Sequence, residues 1–571
     1  MSSTVLPSRP LVVDTLRAHR WGGLAWIGGG AVAMVAIGLG FAAEVKRFAG
    51  GAAEMAADMR PGVEAMRLLR WPAERLDTLG GYLTYHNVTL FGLGLAVYAA
   101  VQGAHAIRAA ETTGVQAELL AAGRSRTGIL ADRTVGFAAT LAVICLGLGA
   151  GLAAAMAAGG EPDVGGAFIT AAAVGLCAFP GYGLGMLLAQ LTSDPRAGTG
   201  LAALVLTALY LLTNVWQDLG LLGVVRYASP FYYANFSRAL VPGYGFHVPS
   251  SVVLLAAGLL LLAAAAGVYR RRDYAAGLFT RRARRTRPVS SVQRPALRTV
   301  WSATLLRQRW SLLAWAVAAA SYLALMGWLE PTVADMWDKF SYTDRVLGAG
   351  AGYSVADRYF ALTGQLIMPI VTAYVVTQAA GWVADLHQGR VEMLLAAPVS
   401  WPRLVGQRLL ATLAGAAVVT VAGVGGLVAT AAAVGAPVDG PGLVRLAADT
   451  LLLAAALAAV AGVVVAWLRS TAAVSALAVF VAASYLLVYL VPLFAWPDWV
   501  NRLSVFGAYG NPYLELPATG ALMVLAAVAV LGNLAAAALA QRTPKVAEAA
   551  GTPRRHHPRR GRPVGAPTGA G

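Results

Sequence analysis

Apolar blocks of about 20 residues, the length a helix needs to cross the hydrocarbon core of a bilayer, alternate along this chain with short polar segments that carry most of its arginines. The blocks predict membrane spans at about 24–43, 88–107, 134–157, 166–191, 198–216 and 249–269, and again at about 311–329, 360–380, 409–434, 446–468, 471–494 and 517–540. The expected fold class is all-α integral membrane, with about twelve transmembrane helices. The first block, with Ala42 and Ala43 near its end, could pass for a cleaved signal peptide. Its length suits a full crossing and a copy of it recurs inside the chain, so it reads as a retained span.

That copy belongs to a longer repeat. A shift of 289 places Leu16, Arg20, Trp21, Leu24, Ala25 and Trp26 on Leu305, Arg309, Trp310, Leu313, Ala314 and Trp315. Beyond the first outer loop the shift falls to 275, setting Gly114, Leu119, Leu120, Ala121, Ala122, Ser125 and Arg133 on Gly389, Leu394, Leu395, Ala396, Ala397, Ser400 and Arg408. Tyr210, Leu211 and Leu212 fall on Tyr485, Leu486 and Leu487 at the same shift. Six spans per copy is an even number, so two tandem six-helix repeats insert in parallel orientation, related by a pseudo-two-fold axis along the membrane normal. The expected organisation is a first half over 1–285, a second half over 286–541 and a basic tail over 542–571.

Charge orients this arrangement. With the N-terminus inside, the cytoplasmic segments collect 31 Lys+Arg against 9 Asp+Glu and the outer segments 13 against 17, leaving Asp449 within a span. The positive-inside rule then puts both termini in the cytoplasm. The segment from Arg270 to Arg309 holds twelve arginines and one acid, Asp273, and is expected along an anionic inner leaflet. The tail, rich in Pro, Gly and Arg, is expected to be disordered; its His556 and His557 lack further metal ligands nearby.

Composition agrees: of 571 residues 58% are hydrophobic and 12% charged, against roughly a quarter charged in a soluble domain. The net charge of +17 does not point to nucleic acid, because the arginines lie between apolar blocks rather than on one basic face. Cys145 and Cys177 sit inside apolar blocks as small buried hydrophobes. Only three lysines occur, and Lys46 is followed by Arg47, Lys339 by Phe340 and Lys545 by Val546. None can serve a P-loop, which needs Lys followed by Ser or Thr, so the chain is not expected to be an enzyme of that kind. Gly181, Gly183 and Gly185, like Gly423, Gly425 and Gly426, lie inside membrane blocks and read as helix-packing positions rather than a nucleotide fingerprint. No nucleophile or metal cluster accompanies Glu118 or Glu392, and the spans lack an acid cluster for a lipid-linked pyrophosphate.

The polar segments between the second and third spans of each half carry the functional signal. On a helix, Val115, Leu119 and Ala122 share one side, as do Val391, Leu395 and Pro398, and Gly123 or Pro398 stops each helix. An apolar face turned to the cytoplasm is a candidate docking surface; the alternative is a helix lying on the membrane interface. Glu392 to Ser400, Glu-Met-Leu-Leu-Ala-Ala-Pro-Val-Ser, resembles the intracellular loop of type-2 ATP-binding-cassette exporter permeases, and the chain through about Ala540 resembles the duplicated polyketide-antibiotic, tetronasin-like exporter permeases.

The resemblance implies an antibiotic or drug efflux permease in the bacterial cell membrane. Its coupling residues would be Glu118, Leu119, Leu120, Glu392, Leu394 and Leu395, docking a separate ATPase subunit, two copies of it, which would bind the ATP and magnesium; this chain would hold no cofactor. The first half departs from the pattern, with Gly123, Arg124 and Ser125 in place of Pro398, Val399 and Ser400. By the same resemblance, 13–20 and 297–309 would be connecting helices. Tyr227 to Tyr244 and Phe506 to Glu515, holding Ser229-Pro230-Phe231 and Asn511-Pro512-Tyr513, would be re-entrant outer elements.

The competing class is a proton-coupled secondary multidrug transporter, which commonly carries an acid or histidine deep in a span. His105, Arg108, Arg445 and Asp449 all lie near span ends, and Arg445 and Asp449, spaced i and i+4, read as a pair. A path for a bulky amphipathic molecule, with membrane lipid beside it, would be lined by Trp26, Tyr98, Tyr210, Asn214, Trp315, Tyr374, Tyr485 and Tyr489.

Overall fold

The computed structural model describes residues 11–67, 70, 73–112, 114–191, 195–274, 299–338, 352–387, 389–396, 399–493, 496–508 and 510–541. Most of the Arg270–Arg309 segment, the basic tail and Pro398 lie outside these residues. Every regular element among those described is helical. Ten helices are long and apolar enough to cross a membrane, and two shorter apolar ones, Gly198–Asn214 and Ala472–Val488, stand where the fifth and eleventh spans are expected.

Neighbouring helices pair in the same order in each half. In the first, α1 (Leu11–Val45) lies along α6 (Arg126–Ala158), and α7 (Val164–Leu191) lies between α4 (Thr89–Thr112) and α10 (Val248–Arg271). In the second, α12 (Arg309–Asp338) lies along α16 (Trp401–Val434), and α17 (Gly440–Leu468) lies between α14 (Ile367–His387) and α20 (Thr519–Gln541). The remaining apolar helices, α8 (Pro195–Asn214) and α18 (Thr471–Leu493), pack on α4 and α14 respectively. Lipid tails are as apolar as leucine, so close backbone approach rather than dehydration holds such helices together. Glycine provides it: a Cβ on Gly185 would come within 1.9 Å of the Ala100 carbonyl oxygen, and one on Gly426 within 2.5 Å of that of Ala320.

Three boundaries differ from the apolar pattern. Residues 13–20 form no separate connecting helix, because α1 runs unbroken through Arg20 and Trp21, which hold no helix breaker. In the second half a break at Gln308 does separate a short α11 (Val300–Arg307) from α12. The second and eighth spans start earlier than their apolar blocks, because polar residues, Thr84 to Asn87 in one and Asp357 and Arg358 in the other, interrupt the apolar run near their starts. Thr78 and Ser354 cap them by accepting from the backbone N–H of Gly81 and Asp357. Each then has an irregular turn, a π turn at Thr84–Val88 after α3 (Leu79–Leu83) and a break at Gln365–Leu366 after α13 (Val355–Gly364). Finally, the segment between the first and second spans is not all loop. It contains α2 (Gly51–Ala65), which buries Met55 and Met59, one turn apart, and rests against α12 of the other half.

Candidate functional site

Each half has a sharp elbow where its second long helix ends. Gly114 (φ +83°) turns α4 into α5 (Val115–Ala121), and Gly389 (φ +66°) turns α14 into α15 (Arg390–Leu395). An L-residue in this left-handed region costs roughly 1–2 kcal/mol, so glycine suits both turns. Gly123 (φ +81°) closes α5: its N–H donates to the Leu120 carbonyl at 3.0 Å and that of Arg124 to Leu119 at 3.1 Å, satisfying carbonyls at the helix end.

One residue per elbow helix points inward, and the two coincide at the shift of 275. Gln116 is fully buried and donates to the Tyr269 hydroxyl at 2.5 Å, and Val391 is 1% exposed. Val391 therefore does not share an outward face with Leu395, contrary to the helical-wheel expectation. Leu119 and Leu120 are half-buried against the core of the first half, and Leu394 and Leu395 are half-buried too. Glu118 and Glu392 face outward with two large apolar residues, Val115 at 43% exposure and Met393 at 67%.

Behind each elbow stands a carboxylate clasped by arginines. In the first half Glu111 pairs with Arg108 at 3.1 Å and with Arg272, all three buried. Arg108 also donates to the Ala189 carbonyl at 2.8 Å and Arg272 to Gln190 at 2.6 Å, so one cluster ties together the ends of α4, α7 and α10. In the second half Asp385, 1% exposed, receives Arg307 at 2.7 Å, Arg390 at 2.9 Å and Arg408 at 2.5 Å, tying α11, α14, α15 and α16. Removing one partner of a buried pair costs about 3–5 kcal/mol because the other is left uncompensated. Glu111 and Asp385 escaped sequence reasoning; an acid three or four residues ahead of each elbow glycine was the available signal.

The aromatic residues expected along a path separate into matched pairs within each half. Trp26 meets Tyr98 with ring centroids 5.9 Å apart, and Trp315 meets Tyr374 at 6.5 Å. Tyr210 packs edge-on against Phe231 at 5.2 Å, and Tyr485 against Phe506 at 5.7 Å. Asn214 is buried one turn beyond Tyr210, and Tyr489 lies on α18 with Tyr485. Ser229 donates to the Leu209 carbonyl at 3.2 Å and Ser504 to that of Ser484 at 2.6 Å. The counterpart of Ser229-Pro230-Phe231 is thus Ser504-Val505-Phe506, not Asn511-Pro512-Tyr513. Residues 227–244 and the described part of 506–515 are packed elements rather than plain loops: Phe231, Leu240, Val241, Phe506 and Tyr513 are buried.

Arg445 and Asp449 do not pair. Arg445 reaches Asp439 at 3.3 Å and the carbonyls of Pro512 and Tyr513, drawn outward by the acceptors there. Asp449 is buried on α17 with one carboxylate oxygen lacking a hydrogen-bond partner. Among the described residues no group of three or more His, Cys, Asp or Glu could hold a metal ion.

The family described as "Multidrug efflux system permease Rv1217c, C-terminal domain" matches residues 14–270 and 297–541. No curated protein matches the chain significantly.

Proposed function

We propose an ATP-driven mechanism for this chain, which belongs to the family of the multidrug efflux system permease Rv1217c C-terminal domain and is a permease of a multidrug efflux system. In this reading twelve spans form two parallel six-helix halves, both termini are cytoplasmic, and α5 and α15 seat a separate ATP-binding-cassette ATPase, one copy beneath each half. The observation that carries it is the pair of elbows. Each presents an exposed carboxylate and an exposed large apolar side chain on a short helix entered through a left-handed glycine and braced by arginines around a buried carboxylate. A rigid, partly apolar projection of this kind suits docking of a moving partner, whose displacement the ion clusters would carry into α4, α10, α14 and α16. Hydrophobic or amphipathic compounds, antibiotics among them, would be the cargo.

Copurification tests this. Met393→Asp changes a side chain that already faces solvent, so insertion should be normal while capture of the ATPase falls at least tenfold; Glu392→Ala should weaken it less. Undiminished capture in both variants would remove these helices from the docking surface.

Asp449 favours a second reading, proton-coupled transport, since a buried carboxylate without a full set of partners in a span is the kind of group that exchanges protons. The two readings part on the energy source.

A further inference from the structure

The two halves treat one repeated arginine differently. In the second half Arg408 is paired with Asp385, and Arg307 closes on the same carboxylate from α11. In the first half the aligned Arg133 donates to the Ala106 carbonyl, meets no carboxylate within ion-pair distance among the described residues, and its Nε is buried with no hydrogen-bond partner among them. The alignment shows why. Arg307 is replaced by Ala18 at the shift of 289, and Asp385 by Ala110 at the shift of 275, while the nearby Glu111 is taken by Arg108 and Arg272.

Ala18, which stands where the second half has Arg307, borders a space. A cavity of about 310 Å³, lined by Leu11, Asp14, Thr15, Ala18, His19, Gln102, His105, Ala106, Arg133 and Tyr182, opens between α1, α4, α6 and α7. Its volume is at the lower end of ligand pockets. At the aligned positions of the second half His19, Gln102, His105 and Tyr182 become Gln308, Thr377, Ala380 and Leu457, so the two imidazoles and the phenol of this lining have no counterpart there.

The walls are held in place. Phe137 stacks on Tyr182 at 4.2 Å and meets His19 edge-on at 5.7 Å, and a Cβ on Gly136 would lie 2.6 Å from Thr15, so α1 and α6 leave no slack.

We propose that this cavity is a binding site for the head of an amphiphile carrying one anionic group, a phosphodiester or a carboxylate. The guanidinium of Arg133, which lines the cavity, supplies the charge, and the ring nitrogens of His19 and His105 can donate to the same oxygens even when neutral. Asp14 is exposed at the rim, where it repels a second negative charge and selects for heads that carry only one. The apolar tail would leave between the helices toward lipid. The site does not depend on which energy source drives transport.

Native mass spectrometry of the full-length permease in detergent, titrated separately with phosphatidylglycerol and palmitate, tests the assignment. The parent should bind one molecule saturably. Arg133→Gln, which removes the charge, and His105→Trp, which fills the space from an exposed position, should each weaken binding at least tenfold. Arg124→Gln, which alters only the exposed pair with Asp132, should bind like the parent. Capture of phosphatidylglycerol identifies the occupant as a membrane lipid head, and capture of palmitate alone identifies an acidic amphiphile as cargo. Absence of saturable one-to-one binding for both probes, or unchanged binding in both cavity variants, would overturn the site.

Discussion

At the scale of single residues, the difference between buried and exposed charge separates groups that look alike in sequence. Glu111 and Arg124 both lie in the short polar segment between the second and third spans, and a charge count treats them equally. Glu111 is buried between two arginines, whereas Arg124 and Asp132 are 48% and 32% exposed at 3.0 Å. Glu111→Ala should therefore destabilise the first half by about 3–5 kcal/mol, read as a large drop in thermal unfolding temperature in detergent. Arg124→Ala should cost about 0–1 kcal/mol, as an exposed ion pair does. The arginine excess is legible in the sequence; the pairing was not, since Glu111 meets Arg272 across 161 positions. The i, i+4 reading of Arg445 and Asp449 failed for the same reason: Arg445 found nearer acceptors at Asp439, Pro512 and Tyr513.

At the scale of helices, the apolar blocks located the spans because a stretch that must satisfy its backbone inside lipid has to be helical. Their ends were less legible, since polar caps such as Thr78 and Ser354 and the unbroken start of α1 carry no hydropathy signal. Of the glycines expected to pack, Gly181, Gly183, Gly185, Gly423 and Gly426 lie against neighbours and Gly425 does not, because which glycine touches a neighbour is a matter of helix phase. Gly426 approaches the Ala320 carbonyl to 2.5 Å, while nothing lies within 4 Å of a Cβ on Gly425. Gly426→Ala should push α12 and α16 apart and lower the yield of folded protein. Gly425→Ala should be neutral or stabilising by up to about 1 kcal/mol, the helix-propensity gain of alanine over glycine. Size-exclusion profiles and thermal unfolding of the two variants check this, and equal behaviour would contradict the packing.

At the scale of the whole molecule, two segments that align in the repeat share a local geometry: Tyr210 with Phe231 and Tyr485 with Phe506 are spaced and angled alike. The halves are not equivalent, however: Arg133 lines a cavity, whereas Arg408 pairs with Asp385. The proposed topology predicts that cysteines placed in the Arg270–Arg309 segment or at either terminus escape an impermeant thiol reagent applied to intact cells. Labelling of that segment would invert the arrangement. The energy source bears most directly on the central claim, and uptake of a fluorescent hydrophobic drug into inside-out vesicles containing the permease and its candidate ATPase measures it. The account predicts uptake that requires ATP, survives a protonophore and persists in Asp449→Asn. Uptake that survives ATP depletion, collapses with the protonophore and is lost in Asp449→Asn would contradict it.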